Sequence, residues 1–405
     1  MKPKRIVILA SFRIFPAETG GHLRTAVVAK VLARLGHDVL VYSMAGRRAD
    51  YATPDRAAGY RVDQIEDNLR EEIHLGLGSG IAQAATRRLR LARIWVLLLL
   101  RFGLLPRRMK MALESADICI SDMPWSLPPR GFETTKPWLL LSHNLEHRLL
   151  EQGRPLERPF SGWLKRIEAK VPQRYVGVLT CADDDHQFFE KHDPEKRCVL
   201  SPVGCAVDPL SYQQEAGVRE STRRELGVAD DDTMFVFSGS SFQPNVDAFE
   251  WLQKFSKDHA DFLQREKIRF VVVGTISARA WKSGALIVTG RVEEINPYFM
   301  AADIGLNPVV WGSGANVKMF EYIAARLPLM STQFGVRGIK LEAGTDFHLF
   351  DRDHFEQRLI DLRRALPDRA ARLAFAESVW NRHKQIIDIH QVLENALEDL
   401  HLFDS

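Results

Sequence analysis

The chain has 405 residues, which is too long for one ordinary hydrophobic core and suits two domains of roughly 200 residues each. Hydrophobic residues make up 45% and charged residues 26%, values that are typical of folded globular proteins. A net charge of +3 gives no reason to expect nucleic-acid binding.

The N-terminal half predicts alternating strands and helices. The apolar run RIVILA at 5–10 predicts a buried parallel strand, and it is too short for a signal peptide. A glycine-containing loop leads into a helix at about 23–35, which Gly36 ends. Further strands are predicted at 37–43, 117–121, 138–142, 177–181 and 197–201.

Residues 85–110 form a basic and apolar segment. They contain eight Arg or Lys residues, no acidic residue and the apolar run WVLLLL. That run is too short to cross a bilayer, and no uncharged apolar stretch of the required 18 residues occurs in the chain. Two interpretations stay open: contact with an anionic membrane surface, or a domain helix whose arginines face water.

The C-terminal half repeats the alternation after a polar linker at about 204–230. Helices are predicted near 245–263, 294–302 and 316–326, with long helices over 371–397. Strands are predicted at 233–239, 269–275, 285–290, 304–309 and 328–332. Two successive βα runs indicate an α/β protein of two doubly wound, Rossmann-like parallel-sheet domains.

A glycine-rich loop before the helix at 316–326 is the strongest candidate for a ligand site. Ligands of open α/β sheets bind beyond the carboxyl ends of the strands, where helix N-termini attract anions. Lys318 can add a full positive charge, and Glu321 suits two ribose hydroxyls. A plain helix start, capped by Asn316 or Ser313 with Glu321 in solvent, would use the same residues. The loop residues that would bind a diphosphate are Gly312, Ser313, Gly314, Ala315 and Asn316.

Three stretches resemble glycosyltransferase family 4, whose members have the GT-B fold. They are FVFSGSSFQPNVDAFEWL from residue 235, VTGRVEEINPYFMAADIGLNPV, and WGSGANVKMFEYIAARLPLMST at 311–332. The resemblance implies facing domains at 1–204 and 205–375, with 376–405 packing back on the first. It also implies a nucleotide-sugar donor bound mainly by the second domain.

The sequence departs from the family pattern at two places. Many relatives have two glutamates in this loop and helix, whereas here Ser313 precedes Glu321. Many also hold the diphosphate with an Arg–Lys pair, which the stretch 240–245 lacks although it offers Ser240. We expect Lys318 and Arg291 to supply the positive charge instead.

The first half contains two further family-like segments. PAETGGHLRT resembles the first glycine-rich loop, so Gly20 and Gly21 would approach the donor with Arg24 behind them. HNLEH places His143 directly after a strand, and the resemblance implies that this histidine faces the donor sugar. HLGLGSG at 74–80 is not a dinucleotide fingerprint, and no convincing strand leads into it, which disfavours a dehydrogenase.

The resemblance implies a hexosyltransferase of the retaining type, and we expect the protein to be cytoplasmic. The donor would be a UDP-, GDP- or dTDP-sugar, and the acceptor a glycan or lipid-linked molecule of surface polysaccharide or lipopolysaccharide assembly. His143, Lys318 and Glu321 would act in transfer, without a cofactor or metal ion. The alternatives are a 2-epimerase-like GT-B enzyme and a non-catalytic module that binds nucleotide-sugars or docks a partner.

Overall fold

The computed structural model contains two compact units of the chain. It describes residues 2–17, 20–44, 60–74, 100, 102, 105–122, 126–132, 134–152, 158–193, 195, 197–204, 217–312 and 314–400. The first unit is Met1–Pro202 with His390–Ser405, and the second is Val203–Ile389. Residues 376–389, which the sequence assigned to the returning segment, therefore lie in the second unit.

The first unit is built on an eight-stranded sheet. Its strands are β1 Arg5–Ala10, β2 Asp38–Ser43, β3 Tyr60–Glu66, β4 Leu69–His74, β5 Ile118–Asp122, β6 Trp138–Leu141, β7 Gly177–Thr180 and β8 Cys198–Leu200. The strand order is β3-β4-β2-β1-β5-β6-β7-β8, and only the β3–β4 pair is antiparallel. The reversal of order next to β1 is the topological switch point at which such folds bind ligands.

Six described helices accompany this sheet. They are α1 Gly20–Arg34, α2 Arg107–Ser115, α3 Glu146–Gln152, α4 Ser161–Glu168, α5 Asp183–Glu190 and, at the C-terminal end, Ile389–Asp399. The last of these buries Leu393, Ala396 and Leu397. A methyl group added at Gly177 of β7 would lie only 2.6 Å from Leu400, so the chain after this helix packs closely on the first sheet.

The β3–β4 hairpin corrects one expectation from the sequence. β4 leads directly into the stretch 74–80, although no strand was expected there. Its sequence LREEIH looks polar, but both glutamates are buried with partners. Glu71 accepts hydrogen bonds from the backbone of Ile14 and Phe15, and Glu72 accepts two from Arg108. Satisfied carboxylates make a buried strand possible where hydropathy alone predicts none.

The second unit is built on a seven-stranded sheet. Its strands are β9 Thr233–Ser238, β10 Ile268–Val273, β11 Trp281–Ser283, β12 Leu286–Gly290, β13 Ile304–Asn307, β14 Leu329–Ser331 and β15 His348–Leu349. The order is β11-β12-β10-β9-β13-β14-β15, and only the β11–β12 pair is antiparallel. The apolar strands are buried on both faces, as parallel sheets covered by helices require.

The helices of the second unit connect these strands. They are α6 Val218–Leu226, α7 Gln243–Asp258, α8 Ala260–Arg265, α9 Asn296–Ala301, α10 Val317–Ala324, α11 Phe355–Ala365 and α12 Arg369–His383. The helix at Ile389–Asp399 is therefore α13 in chain order. The expected helix over 245–263 is two helices, because the backbone leaves the helical conformation at His259.

The predicted polar linker contains α6. Arg219 and Arg223 on this helix form ion pairs with the buried carboxylate of Asp303, at 2.7 and 3.2 Å. Arg219 also donates to the carbonyls of Ala301 and Ala302, at the end of α9. These contacts fix α6 against the second sheet, so this part of the expected linker is an integral helix of the unit.

Candidate functional site

The second unit has a candidate anion site where α10 begins. Gly312 and Gly314 adopt positive φ values of 138° and 73°, which favour glycine. A methyl group on Gly312 would lie 3.2 Å from Cγ of Pro244, in the first turn of α7. The loop after β13 therefore passes close to the N-terminus of α7, and both helix starts lie at the carboxyl end of the sheet.

The segment after β14 shapes this loop. The backbone N–H of Asn316 donates to the carbonyl of Arg337 at 3.1 Å, and the Asn316 side chain donates to the carbonyl of Phe334 at 3.3 Å. The guanidinium of Arg337 donates to the carbonyl of Gly314 and stacks 4.2 Å above the ring of Phe334. Both Asn316 donors thus bind the neighbouring segment and hold the loop in place.

Lys318 is buried behind the loop. Its ammonium group donates to Oδ1 of Asn245 at 3.0 Å and lies 5.1 Å from the ring centre of Phe237. Burial lowers the pKa of Lys318 to about 8, while Glu321 opposes and Arg337 adds to this shift. The amide of Asn245 also lies near Ser240, with Nδ2 3.4 Å from its carbonyl oxygen. Asn245 thus connects Lys318 to the loop after β9.

Glu321 stands one turn further along α10 and is partly buried. Burial raises the pKa of Glu321 to about 7, and the charge of Lys318 opposes this shift. Within the part of the chain that the structure describes, no hydrogen bond or ion pair engages the Glu321 carboxylate. A weakly solvated carboxylate without a hydrogen-bond partner can accept hydrogen bonds from two ribose hydroxyls.

The other predicted donor-binding residues have different surroundings. Ala315 is partly buried in the loop, and Arg291 is exposed directly after β12. Ser313 lies outside the described residues, so its place in the loop stays a prediction. Ser240 follows β9 and contacts Asn245, as described above.

The first unit has a second polar cluster at the carboxyl end of its sheet. Gly20 and Gly21 form the first residues of α1, and Cδ2 of His143 would lie 3.8 Å from a methyl group on Gly21. Nε2 of His143 lies 2.5 Å from Oδ1 of Asp122 and 3.1 Å from the hydroxyl of Thr25. The structure therefore brings His143 and the glycines of α1 together.

Arg24 lies behind these glycines on α1, as expected. Its side chain is almost completely buried and donates to the carbonyls of Ser142, Thr180 and Ser201, at 2.7 to 3.3 Å. Ser142 directly follows β6, Thr180 is the last residue of β7, and Ser201 directly follows β8. Arg24 thus fixes the sheet end on which His143 stands.

Asp122 and Asn245 are among the residues of these clusters that were not singled out from the sequence. Asp122 is the last residue of β5, and Asn245 lies in the first turn of α7. The sequence contained a signal for Asp122, because this polar residue ends a strand that could lie beside the strand before His143. In the described ranges no group of three potential metal ligands occurs. No described helix is long and apolar enough to cross a membrane.

Comparisons with known proteins define the class. Residues 232–364 match the family model described as "Glycosyl transferases group 1". Residues 232–364 are therefore a glycosyltransferase domain, and the fold of the chain is GT-B. This confirms the resemblance to glycosyltransferase family 4 and the expected fold and enzyme class. Comparison with curated protein sequences gives no match to the chain.

Solved structures of similar fold span nearly the whole chain. WaaG, a glycosyltransferase involved in lipopolysaccharide biosynthesis, is 17% identical with a TM-score of 0.64, over 98% of this chain and 99% of its own. Anabaena HepE in complex with UDP and glucose is 13% identical with a TM-score of 0.65, and the match covers 98% of this chain and 99% of HepE. A trehalose-phosphate synthase from Burkholderia vietnamiensis is 16% identical with a TM-score of 0.63, also over 98% and 99%.

Proposed function

We propose that the protein transfers a hexose-type sugar, with retention of anomeric configuration, from a nucleotide-sugar to a glycan or lipid-linked acceptor. The donor nucleotide would be UDP, GDP or dTDP. The observation that carries this proposal is the pair of oppositely charged groups, the buried Lys318 and the partly buried Glu321, beside a glycine loop at a helix start. Such an arrangement suits a diphosphate joined to a ribose.

The roles of these groups follow from their chemistry. The ammonium of Lys318 and the amide groups at the start of α10 would stabilise negative charge that develops on the leaving diphosphate. Glu321 would accept hydrogen bonds from the ribose hydroxyls, and Arg291 would add positive charge near the donor. We assign to His143 the orientation of the donor sugar. A dedicated catalytic carboxylate is not required if the leaving diphosphate receives the acceptor proton.

A place in surface polysaccharide or lipopolysaccharide assembly is part of the proposal. It is supported by the likeness to WaaG and by the basic segment 85–110, most of which lies outside the described residues. In the described part of that segment, Phe102 is 68% exposed, and Met111, which follows the segment on α2, is 57% exposed. Arg107 and Lys110 are exposed on the same helix. We propose that this surface contacts the cytoplasmic face of an anionic membrane.

Donor turnover tests the main proposal. The purified protein is incubated with UDP-, GDP- and dTDP-hexoses, with and without a lipid-linked glycan acceptor, and nucleotide release and product configuration are measured by NMR. We expect one donor to be consumed with acceptor and to give a product of unchanged anomeric configuration. Lys318→Met should abolish most turnover, whereas Lys254→Met, an exposed lysine on α7, should leave it unchanged.

Two results would contradict the proposal. Release of nucleotide at the full rate without acceptor, together with an altered sugar, would indicate the epimerase-like reaction. Tight donor binding without any turnover would indicate a binding module. Vesicle sedimentation tests the membrane contact separately. The protein should sediment with phosphatidylglycerol vesicles and not with phosphatidylcholine vesicles, and less so after Arg107→Gln with Lys110→Gln.

A further inference from the structure

Asp122 is a completely buried carboxylate with a specific arrangement of partners. Its Oδ1 lies 2.5 Å from Nε2 of His143 and 2.6 Å from the hydroxyl oxygen of Thr25. Its Oδ2 is buried without a hydrogen-bond partner among the described residues. The interactions of this carboxylate are thus concentrated on His143 and Thr25.

The chemistry of these partners fixes the proton on the imidazole. An ionised carboxylate only accepts hydrogen bonds, so the ring nitrogen that faces it must carry hydrogen. The Thr25 hydroxyl lies 3.1 Å from the same nitrogen, and its own hydrogen has acceptors in Oδ1 of Asp122 at 2.6 Å and the carbonyl of Gly21 at 3.2 Å. It can therefore accept a hydrogen bond from Nε2. Both neighbours therefore favour hydrogen on Nε2, and in the neutral imidazole Nδ1 then carries a lone pair.

Nδ1 of His143 is left for another partner. No described residue forms a hydrogen bond with this nitrogen, and the hydrogen bonds of the ring with Asp122 and Thr25 are both made by Nε2. The carbonyl of His143 accepts from the thiol of Cys181 at 3.0 Å, which fixes the backbone of this residue. The ring is thus held from one side, with an acceptor nitrogen on the other.

We propose that Asp122 is a positioning residue that holds His143 as the Nε2–H tautomer and so makes Nδ1 a hydrogen-bond acceptor for the donor sugar. The sugar part of this inference rests on the proposed function. The specificity that follows is chemical. A sugar hydroxyl can donate a hydrogen bond to Nδ1. A deoxy position has no hydroxyl to donate, and the carboxylate of a uronic acid is itself an acceptor, so neither can form this hydrogen bond. The donor sugar should therefore carry a hydroxyl at the position that meets His143.

NMR of the protein with ¹⁵N-labelled histidine tests the tautomer without any need for activity. The His143 signals are assigned by their loss in His143→Gln. In the wild type at pH 7.5 we expect a protonated Nε2 and an unprotonated Nδ1. Hydrogen on Nδ1, whether as the other tautomer or as imidazolium, would overturn the inference, and this measurement does not depend on the folding of a variant.

Variants of Asp122 and Thr25 then test whether Asp122 determines the tautomer of His143. Asp122→Leu removes the acceptor, and the preference for Nε2–H should weaken, while Thr25→Val removes only the second neighbour and should retain it. Asp122→Asn can restore an acceptor oxygen, so its spectrum should return toward the wild type. An Asp122→Leu spectrum identical to that of the wild type, or an Asp122→Asn spectrum identical to that of Asp122→Leu, would contradict the inference.

Kinetics separate this inference from the proposed function. Asp122→Leu should lower kcat roughly tenfold or more, as expected for a lost hydrogen bond to an ionised group, with nucleoside-diphosphate affinity unchanged. An unchanged kcat in a folded Asp122→Leu protein would overturn the role in positioning. If no donor is turned over by the wild type, the proposed function fails, while the NMR result still decides the tautomer.

Discussion

Replacing Glu321 with Gln should stabilise the ligand-free protein at alkaline pH. Burial raises the pKa of this carboxyl from its ordinary value of 4.5 to about 7. A group whose pKa is higher in the folded state binds its proton more tightly there than in the unfolded chain. Its contribution to stability is therefore complete below about pH 4.5 and is lost as the pH rises through about 7. Gln does not titrate, so the variant avoids this loss.

The size of the effect follows from the shift. A difference of about 2.5 pKa units corresponds to about 3.4 kcal/mol at most, using about 1.36 kcal/mol per unit. Part of this is offset, since the Glu321 charge also supports the buried ammonium of Lys318, whose pKa is lowered to about 8. We expect a net gain of about 1–2 kcal/mol at pH 8 and almost none at pH 5, or roughly 2–8 °C in Tm.

Thermal unfolding between pH 5 and pH 8.5 provides the assay. The difference in Tm between Glu321→Gln and the wild type should grow from pH 5 to about pH 7 and stay constant above it. Glu250→Gln is the matched control, because Glu250 is an exposed residue of α7. A Tm difference that is independent of pH, or equal to that of the control, would refute the assignment of Glu321 as a partly buried carboxylate whose ionisation destabilises the folded protein.

Three further substitutions test the surroundings of the two polar clusters. Asn245→Ala removes the acceptor of the Lys318 ammonium, and we expect a loss of about 1–3 kcal/mol in urea denaturation; a loss below 0.5 kcal/mol would contradict this role. Gly312→Ala adds backbone strain at φ 138° and a contact of 3.2 Å with Pro244, so this variant should weaken nucleotide binding. Gly344→Ala is the control: its φ is 84°, its methyl group meets nothing within 4 Å, and nucleotide binding should be unchanged. Arg24→Met leaves three buried carbonyls without their donor, and we expect a loss of at least about 3 kcal/mol; stability equal to that of the wild type would show that water replaces the guanidinium.

The central strands of both sheets were predictable because they are continuous apolar runs. RIVILA and TMFVFS form β1 and β9, which are buried on both faces. The hairpin of β3 and β4 was not predictable in this way, since its buried carboxylates depend on partners far away in the sequence. Arg108, for example, is 36 residues from Glu72. Hydropathy contains no information about such pairing.

The candidate site shows the same limit. Lys318 and Glu321 could be placed together because helix geometry puts residues three apart on one side. The contact between Lys318 and Asn245 spans 73 residues and depends on the loops after β9 and β13 meeting at one sheet edge. The pairing of Asp122 with His143 likewise follows from the adjacency of β5 and β6, which the order of strands along the chain suggested but did not establish.

Nucleotide affinity measured by isothermal titration calorimetry tests the central claim most directly. UDP, GDP and dTDP are titrated into the wild type, Lys318→Met, Glu321→Ala and the control Lys254→Met. The account predicts that one nucleotide binds the wild type and the control equally. Its affinity should fall roughly 10- to 150-fold in Lys318→Met and clearly in Glu321→Ala. If the wild type, Lys318→Met and Glu321→Ala bind that nucleotide with equal affinity, the donor does not bind at the start of α10.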